Sequence, residues 1–281
     1  MTFDLSRLGQ VRKTPEFRVN TLRLAQFAAA IDDETPAHRE GSLASPVFAN
    51  VPTMQATIET LRDATSAFAF HGQHDFHYHR PIRPGMRLFC RATLWGAFPS
   101  PAGVSVIVKS ETRDERDELV DEQYLNALVA GGALPAGVGE AAPKHRLPET
   151  VRSASPIAEA TYAMSADQTA RYAEAARDYS AYTLRLDAAK ALGFPHLLVH
   201  GMLTLAFASR AVVDKVCGGD SEMLKRLAGR FSAPLLLTPG QAITTKLWAL
   251  GPQRGRRAFG YEASDAAGQI VIKHGLAEVA S

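Results

Sequence analysis

The chain repeats part of its own pattern, and this repeat limits the folds open to it more than any other feature. Residues 17–38 align with residues 162–183 at an offset of 145, and several aromatic and alanine positions coincide. Asp33 falls on Asp178 in this alignment. Each stretch has the spacing of a short helix followed by a polar loop.

A second match follows in the same order. Residues 75–95 align with residues 230–248 at an offset of 155, which places Pro84-Gly85 on Pro239-Gly240. Pro-Gly sets a turn ahead of a strand with alternating side chains. Two separate matches in one order indicate a duplicated unit.

The duplication predicts two units joined by a linker. The stretch 130–149 is rich in glycine, alanine and proline, which is typical of a connecting segment. We therefore predict a first unit at residues 1–132, a linker at residues 133–150 and a second unit at residues 151–281.

Each unit combines one long helix with several strands. Residues 200–216 are apolar around nearly the whole helix surface, so this helix must be enclosed. Its counterpart at residues 51–65 is more polar and is expected to be less deeply wrapped. Long alternating strands are predicted at residues 103–113, 119–130, 256–264 and 269–279. A curled antiparallel sheet around a central helix, twice in tandem, satisfies these demands and gives an α+β fold class.

Charge and hydropathy exclude several partners. The formal net charge is +2, so neither a nucleic acid nor a membrane surface is expected as a partner. The N-terminal segment lacks the apolar core of a secretory signal, and the apolar runs are too short to cross a bilayer. We expect a cytoplasmic protein and leave a homodimer open.

Three segments resemble those of one known family. They are GFPHLLVHGMLTLAFASRAV at 193–212, RFSAPLLLTPG at 230–240 and HGQHDFHYHRPIRPG at 71–85. Their order and spacing resemble the MaoC-like dehydratases, especially the type 2 (R)-specific enoyl-CoA hydratases. The resemblance implies a double hotdog fold with an acyl thioester in the cleft between the two hotdog units. It implies no cofactor beyond the coenzyme A of the substrate, and the carrier of the acyl group is either coenzyme A or an acyl carrier protein.

The family's catalytic signature, Asp-x-Asn-Pro-x-His, is divided between the units. In the second unit Asp178 matches the acid, whereas Ser180 and Thr183 replace the asparagine and the histidine. In the first unit the sequence DETPAH places Asp33 and His38 at the family's spacing, without the asparagine. The resemblance therefore implies one incomplete loop in each unit.

The resemblance also implies where the substrate is held. Negative charge collects on the thioester oxygen during hydration, and unpaired N–H groups at the start of a helix stabilise such charge. Gly201 would be the donor, with His200 and Phe194 as neighbouring substrate-binding residues. We expect His200 to form a structural hydrogen bond at the helix entrance rather than to act as a base.

The function expected first is that of an (R)-specific 2-enoyl-CoA hydratase or 3-hydroxyacyl-thioester dehydratase. Thr183 cannot act as the base because its hydroxyl does not titrate near neutrality. Asp178 would then act with a water held by Ser180 and Thr183. Two alternatives remain: a non-catalytic acyl-CoA-binding or partner subunit, and an acyl-CoA thioesterase.

The first unit offers a second acid/base pair. Asp33 and His38 retain the titrating groups that hydration requires. Against this site, Val51-Pro52 stands where a His-Gly pair should open the helix, and proline donates no N–H. Catalysis by this pair is an alternative to catalysis by Asp178.

One histidine-rich stretch invites a metal site. Residues 71–80 contain four histidines and an aspartate. On a strand Asp75, His77 and His79 share one face, as metal ligands do. We predict no metal and interpret the stretch as a polar strand face along the cleft.

Overall fold

Long strands alternate with a few helices in both halves of the chain. The computed structural model describes residues 3–253 and 255–281, so Met1, Thr2 and Arg254 lie outside the description that follows. The strands of this part are β1 Val11–Lys13, β2 Phe17–Arg18, β3 Phe70–Tyr78, β4 Arg87–Ser100, β5 Gly103–Arg113, β6 Leu119–Ala130, β7 Val138–Gly139, β8 Ala158–Ala163, β9 Leu224–Phe231, β10 Ala242–Gln253, β11 Arg256–Ser264 and β12 Ile270–Val279. Its α-helices are α1 Thr21–Ala30, α2 Pro36–Arg39, α3 Asn50–Ala64, α4 Glu149–Arg152, α5 Gln168–Ala176, α6 Ala181–Leu184, α7 Leu186–Ala191 and α8 Gly201–Val216. Short 3-10 helices lie at Pro46–Ala49 and Ser221–Met223.

The strands of both units form one antiparallel sheet. Its order is β1-β4-β5-β6-β3-β9-β12-β11-β10-β8, with β2 and β7 paired to β4. Each unit contributes four long strands in the same relative order, and the units meet where β3 pairs antiparallel with β9. The predicted pair of tandem antiparallel units is confirmed.

One central helix packs on the sheet in each unit. α3 contacts β4 and β5, whereas α8 contacts β8, β9, β10 and β12. In α8, 12 of 16 residues are buried, against 8 of 15 in α3. The second helix is therefore the more deeply wrapped, as its apolar surface predicts. In the part of the chain described, no helix is long and apolar enough to cross a membrane.

A buried ion pair holds the two units together at the β3–β9 seam. Arg226 Nη2 donates to Asp75 Oδ2 at 2.7 Å, and Arg226 Nη1 donates to Glu278 Oε1 at 3.3 Å. All three side chains are buried. The Asp75 carboxylate is thereby paired with Arg226 at the seam, and its Oδ1 also lies 3.3 Å from His77 Nε2. The segment 133–150 contacts both units through β7 and the buried Leu147, and the unit boundaries stay a prediction.

The central helix of the first unit begins at Asn50, within one residue of the prediction, and a 3-10 turn precedes it. The 3-10 turn Pro46–Ala49 runs directly into α3. At the offset of 155, Pro46 corresponds to Gly201. Val51 and Pro52 lie in the first turn of α3, as expected, but the residues that correspond to His200-Gly201 are Ser45-Pro46, because the loop between the acid and the helix is ten residues shorter in the first unit.

Candidate functional site

An apolar cavity lies between the two units at the start of α8. Its volume is about 320 Å³. The first unit contributes Phe68, Phe70, His71, Gly72 and Leu128, and the second contributes Tyr182, Leu198, Val199, Gly201, Thr204, Phe231, residues 232–235 and Val271. Both the size and the apolar walls are typical of a small-molecule site, and they suit an acyl chain.

The backbone at the start of α8 offers unpaired donors to this cavity. The first helical hydrogen bond runs from Thr204 N to His200 O at 3.0 Å. The N–H groups of Gly201, Met202 and Leu203 have no acceptor in the described part of the chain. Such donors, at the positive end of the helix dipole, stabilise an oxyanion.

The glycine at this position is not required by packing. A Cβ added to Gly201 would stand 3.5 Å from Phe231 Cζ and 3.7 Å from His71 Cβ, which are ordinary contact distances. Alanine could therefore occupy this position, and Gly201 itself lines the cavity.

The loop that carries the acid is tied to the entrance of α8. Asp178 Oδ1 accepts hydrogen bonds from Ser180 Oγ at 2.7 Å and from Ser180 N at 3.2 Å. Thr183 Oγ1 donates to Ser180 O at 2.7 Å. The Nε2–H of His200 donates to Thr183 Oγ1 at 2.9 Å and to Asp178 O at 3.0 Å. The Thr183 hydroxyl is buried and engaged on both sides, which leaves it no proton to offer a catalytic water.

The structure thus brings Asp178, Ser180, Thr183 and His200 together directly beside Gly201. Gly201 lines the cavity, whereas the other four residues are not among the described lining residues. Phe194 also lies outside that lining, in the turn after α7 where its N–H donates to Ala189 O at 3.1 Å. The roles assigned to these side chains from the sequence stay predictions.

His200 has the surroundings of a structural residue. Burial lowers the pKa of its imidazole, so the ring is neutral at pH 7. Its Nε2–H is held by the loop, and its buried Nδ1 has no partner among the described residues. The ring packs at 5.0 Å from that of Tyr172.

The first unit contains a closed hydrogen-bonded cluster around Asp33. His38 Nδ1 lies 2.7 Å from Asp33 Oδ2, and His38 Nε2 lies 2.8 Å from Ser221 Oγ of the second unit. Ser45 Oγ and Thr35 N also donate to the carboxylate. Burial alone would raise the pKa of Asp33, but its hydrogen bonds, above all with His38, lower it to about 2. Asp33 is therefore an ionised partner of a fully buried histidine.

The cavity beside this cluster is much smaller. It measures about 50 Å³ and is lined by Ser45, Pro46, Tyr78 and Asp121, among others. At the offset of 155, Tyr78 of the smaller cavity corresponds to Ala233 of the larger one, so a bulky ring stands where the second unit has a methyl group. A space of this size holds a few waters but no acyl chain.

A buried polar chain connects the two cavities, and sequence reasoning did not identify it. His71 Nε2 lies 3.1 Å from His74 Nδ1, and His74 Nε2 lies 3.2 Å from Gln123 Oε1. Gln123 Nε2 donates to Asp121 Oδ1 at 2.7 Å. Burial lowers the pKa of His74 to about 4 and raises that of Asp121 to about 7. The histidine-rich stretch was the available signal, since His71 does line the cleft.

Metal binding finds no support in this stretch. His79 Nε2 contacts Glu122 at 3.2 Å. It is therefore separate from the pair formed by His71 and His74. Among the described residues, no three histidine, cysteine, aspartate or glutamate side chains are placed to hold a metal ion.

Comparison with known proteins finds relatives of the second unit and of larger parts of the chain. A family model described as "MaoC like domain" matches residues 148–268. Peroxisomal enoyl-CoA hydratase 2 of Arabidopsis thaliana is 25% identical over 219 residues, which cover 73% of this chain and 69% of that protein. A UPF0336 protein of Streptomyces griseus is 31% identical over 152 residues, which cover 48% of this chain and 100% of that protein.

Solved structures share the complete architecture. A MaoC-like dehydratase from Phytophthora capsici superposes with a TM-score of 0.83 at 20% identity, covering 99% of this chain and 97% of the other. A Mycobacterium tuberculosis protein described as a double hotdog superposes with a TM-score of 0.61 at 16% identity, covering 96% and 95%. These likenesses confirm the predicted double hotdog fold.

Proposed function

The chain belongs to the MaoC-like dehydratase family, and from this premise we propose that it is an (R)-specific 2-enoyl-CoA hydratase or 3-hydroxyacyl-thioester dehydratase. Its substrate is an acyl thioester of coenzyme A or of an acyl carrier protein. The observation that carries the proposal is the apolar cavity of about 320 Å³ that ends at the unpaired N–H of Gly201.

The geometry matches the demands of the reaction. Hydration joins a water oxygen to the β-carbon of the enoyl group and a proton to the α-carbon, and charge develops on the thioester oxygen in between. The N–H groups of Gly201 and Met202 are free to receive that oxygen, and removal of one such donor costs about 10²–10³ in rate in other enzymes. The apolar walls hold the acyl chain and exclude water from it.

A second candidate function is acyl-thioester binding without turnover. It is favoured by Thr183, which stands in place of the family histidine and has its hydroxyl engaged with Ser180 and His200. The carboxylate of Asp178 is also absent from the cavity lining of the described residues. In this case the cavity would bind the same ligands and release them unchanged.

An assay with enoyl-CoA substrates of increasing chain length tests the proposal. Purified protein is mixed with crotonyl-CoA and longer 2-enoyl-CoAs, and loss of the enoyl absorbance is followed together with chromatography of the products. We expect 3-hydroxyacyl-CoA of R configuration. Saturable binding without turnover at any chain length would support the binding function, and release of the free CoA thiol would indicate a thioesterase.

A further inference from the structure

The larger cavity contains a histidine contributed by the first unit. His71 Cβ lies 3.7 Å from the point at which a Cβ on Gly201 would stand, so the side chain begins beside the unpaired N–H groups of α8. Its ring packs edge-on at 4.8 Å from the ring of Phe231, which also lines the cavity. Among the described lining residues, His71 is the one that carries an imidazole, a group that can both accept and donate a proton.

A β-bulge aims His71 at its partner. His71 pairs with Ala127 and Gln73 pairs with Asn126, which leaves Gly72 as an extra residue in β3. In a regular strand, residues three apart point to opposite faces, whereas one extra residue returns His71 and His74 to the same face. A Cβ at Gly72 would stand 3.2 Å from Asn126 O, so this bulge favours glycine.

The hydrogen bonds beyond His74 determine which nitrogen of His71 carries the proton. Gln123 Nε2 donates to two acceptors, Ala49 O and Asp121 Oδ1, both at 2.7 Å, so its Oε1 must accept from His74 Nε2. His74 Nδ1 then accepts from His71 Nε2. The neutral ring of His71 is left with its lone pair on Nδ1.

We propose that His71 is the catalytic acid/base of the hydration, in place of the histidine that the loop at Thr183 lacks. The inference rests on the proposed function. As the water oxygen bonds to the β-carbon, Nδ1 of His71 takes the water proton and the electrons of the double bond move onto the thioester oxygen. When this enolate collapses, the same proton passes from His71 to the α-carbon, so the imidazole ends as it began. His74 and Gln123 are positioning residues.

The electrostatics of the ring agree with this role. Burial, with a further contribution from His74, lowers the pKa of His71 well below its ordinary value, which keeps the imidazole neutral and able to accept a proton at pH 7. The backbone carbonyl of Gln73 acts in the opposite direction and favours the protonated ring. The imidazolium that forms during the reaction is therefore stabilised by the carbonyl of Gln73.

Chemical rescue tests the assignment. In His71→Ala, we expect turnover of the best enoyl-CoA to fall by about 10²–10⁴, which is the usual contribution of a general acid/base. Binding of a saturated acyl-CoA should change little, and added imidazole should restore activity at least about tenfold because it can enter the vacated space. The matched control is His79→Ala, directly after the same strand, which is more exposed and should keep full activity.

Two further variants guard against misfolding of His71→Ala and test the role of His74. His71→Gln replaces His71→Ala if the latter does not fold. In His74→Leu, we expect kcat to fall at least about tenfold with KM nearly unchanged and no rescue by imidazole, because the tautomer of His71 is no longer held.

The outcomes separate this inference from the proposed function. Wild-type turnover together with an active His71→Ala or His71→Gln variant would overturn the role of His71 and leave the hydratase standing. A loss that imidazole does not rescue in His71→Ala would also count against acid/base chemistry. A wild-type protein that hydrates no enoyl thioester would overturn both.

Discussion

Gly201 begins α8, and Pro46 occupies the equivalent position in the first unit, where it begins the 3-10 turn that leads into α3. Gly201 presents a free N–H to a cavity of about 320 Å³, whereas Pro46 has no N–H and adjoins a cavity of about 50 Å³. Tyr78 lines the smaller cavity, and the much smaller Ala233 stands at the equivalent position in the larger one. The second unit therefore combines an unpaired helix N–H with the larger cavity, and the equivalent position of the first unit has neither.

Replacing Gly201 by proline tests the donor. Proline is well tolerated at the first position of a helix, and His200 already has the extended ψ of 134° that a following proline requires. We expect Gly201→Pro to fold and to lose about 10²–10³ in kcat/KM. Gly201→Ala keeps the N–H and serves as the control. Equal activity in both variants would exclude this N–H from catalysis.

The larger cavity can be narrowed by giving it a side chain that lines the smaller one. Ala233→Tyr introduces the residue that lines the smaller cavity at the equivalent position of the first unit. We expect KM to rise for long-chain enoyl-CoAs, with crotonyl-CoA affected least, because the ring displaces the distal part of the chain. Ser232→Ala, in the same lining segment, should leave the chain-length profile unchanged. A uniform loss at all lengths would contradict this assignment of the acyl chain.

Most of the fold could be predicted from the sequence, because the periodicity of apolar residues indicates which face of a strand or helix is buried. The alternating stretch 103–113 coincides with β5, and the apolar stretch 200–216 contains α8. The start of the first central helix was predicted within one residue, but the 3-10 turn at Pro46–Ala49 was not, since a loop shortened by ten residues changes the alignment offset between Asp33 and Pro46.

The site was readable only in part. The helix opening at Gly201 follows from the order of motifs along the chain. The orientation of His71 does not, because it depends on a bulge at Gly72 and on β6, whose residues lie some fifty positions away in the sequence. A pattern of alternation alone places His71 and His74 on opposite faces.

The cluster around Asp33 is expected to stabilise the protein rather than to catalyse. His38 is fully buried and joins Asp33 of the first unit to Ser221 of the second. We expect His38→Ala to lower the free energy of unfolding by about 2–4 kcal/mol, and Ser221→Ala by about 1 kcal/mol. Urea unfolding measures both. If His38→Ala folded normally and lost turnover by orders of magnitude, the first unit would hold the active pair.

The acid of the second loop can be neutralised without disturbing its shape. In Asp178→Asn, the amide oxygen can still accept from Ser180 Oγ and N, so the loop should keep its conformation. We expect kcat to stay within about tenfold of wild type, because His71 handles the proton. Circular dichroism and steady-state kinetics check the fold and the rate. A loss beyond about 10² would transfer the acid/base role to Asp178.

Asp121 predicts a specific pH dependence of stability. Burial raises the pKa of this carboxyl from 3.8 to about 7, and its Oδ2 has no partner among the described residues. Between these values the folded protein binds the proton that the unfolded chain has lost, so this group makes folding less favourable as pH rises. Asp121→Asn keeps the acceptor for Gln123 and cannot ionise. Relative to wild type, its free energy of unfolding should therefore increase by more than about 1 kcal/mol between about pH 5 and about pH 8, as measured by urea unfolding. Glu115→Gln, at an exposed carboxyl, should show no such change, and an equal pH profile for Asp121→Asn and wild type would mean that Asp121 is ionised in the folded protein throughout.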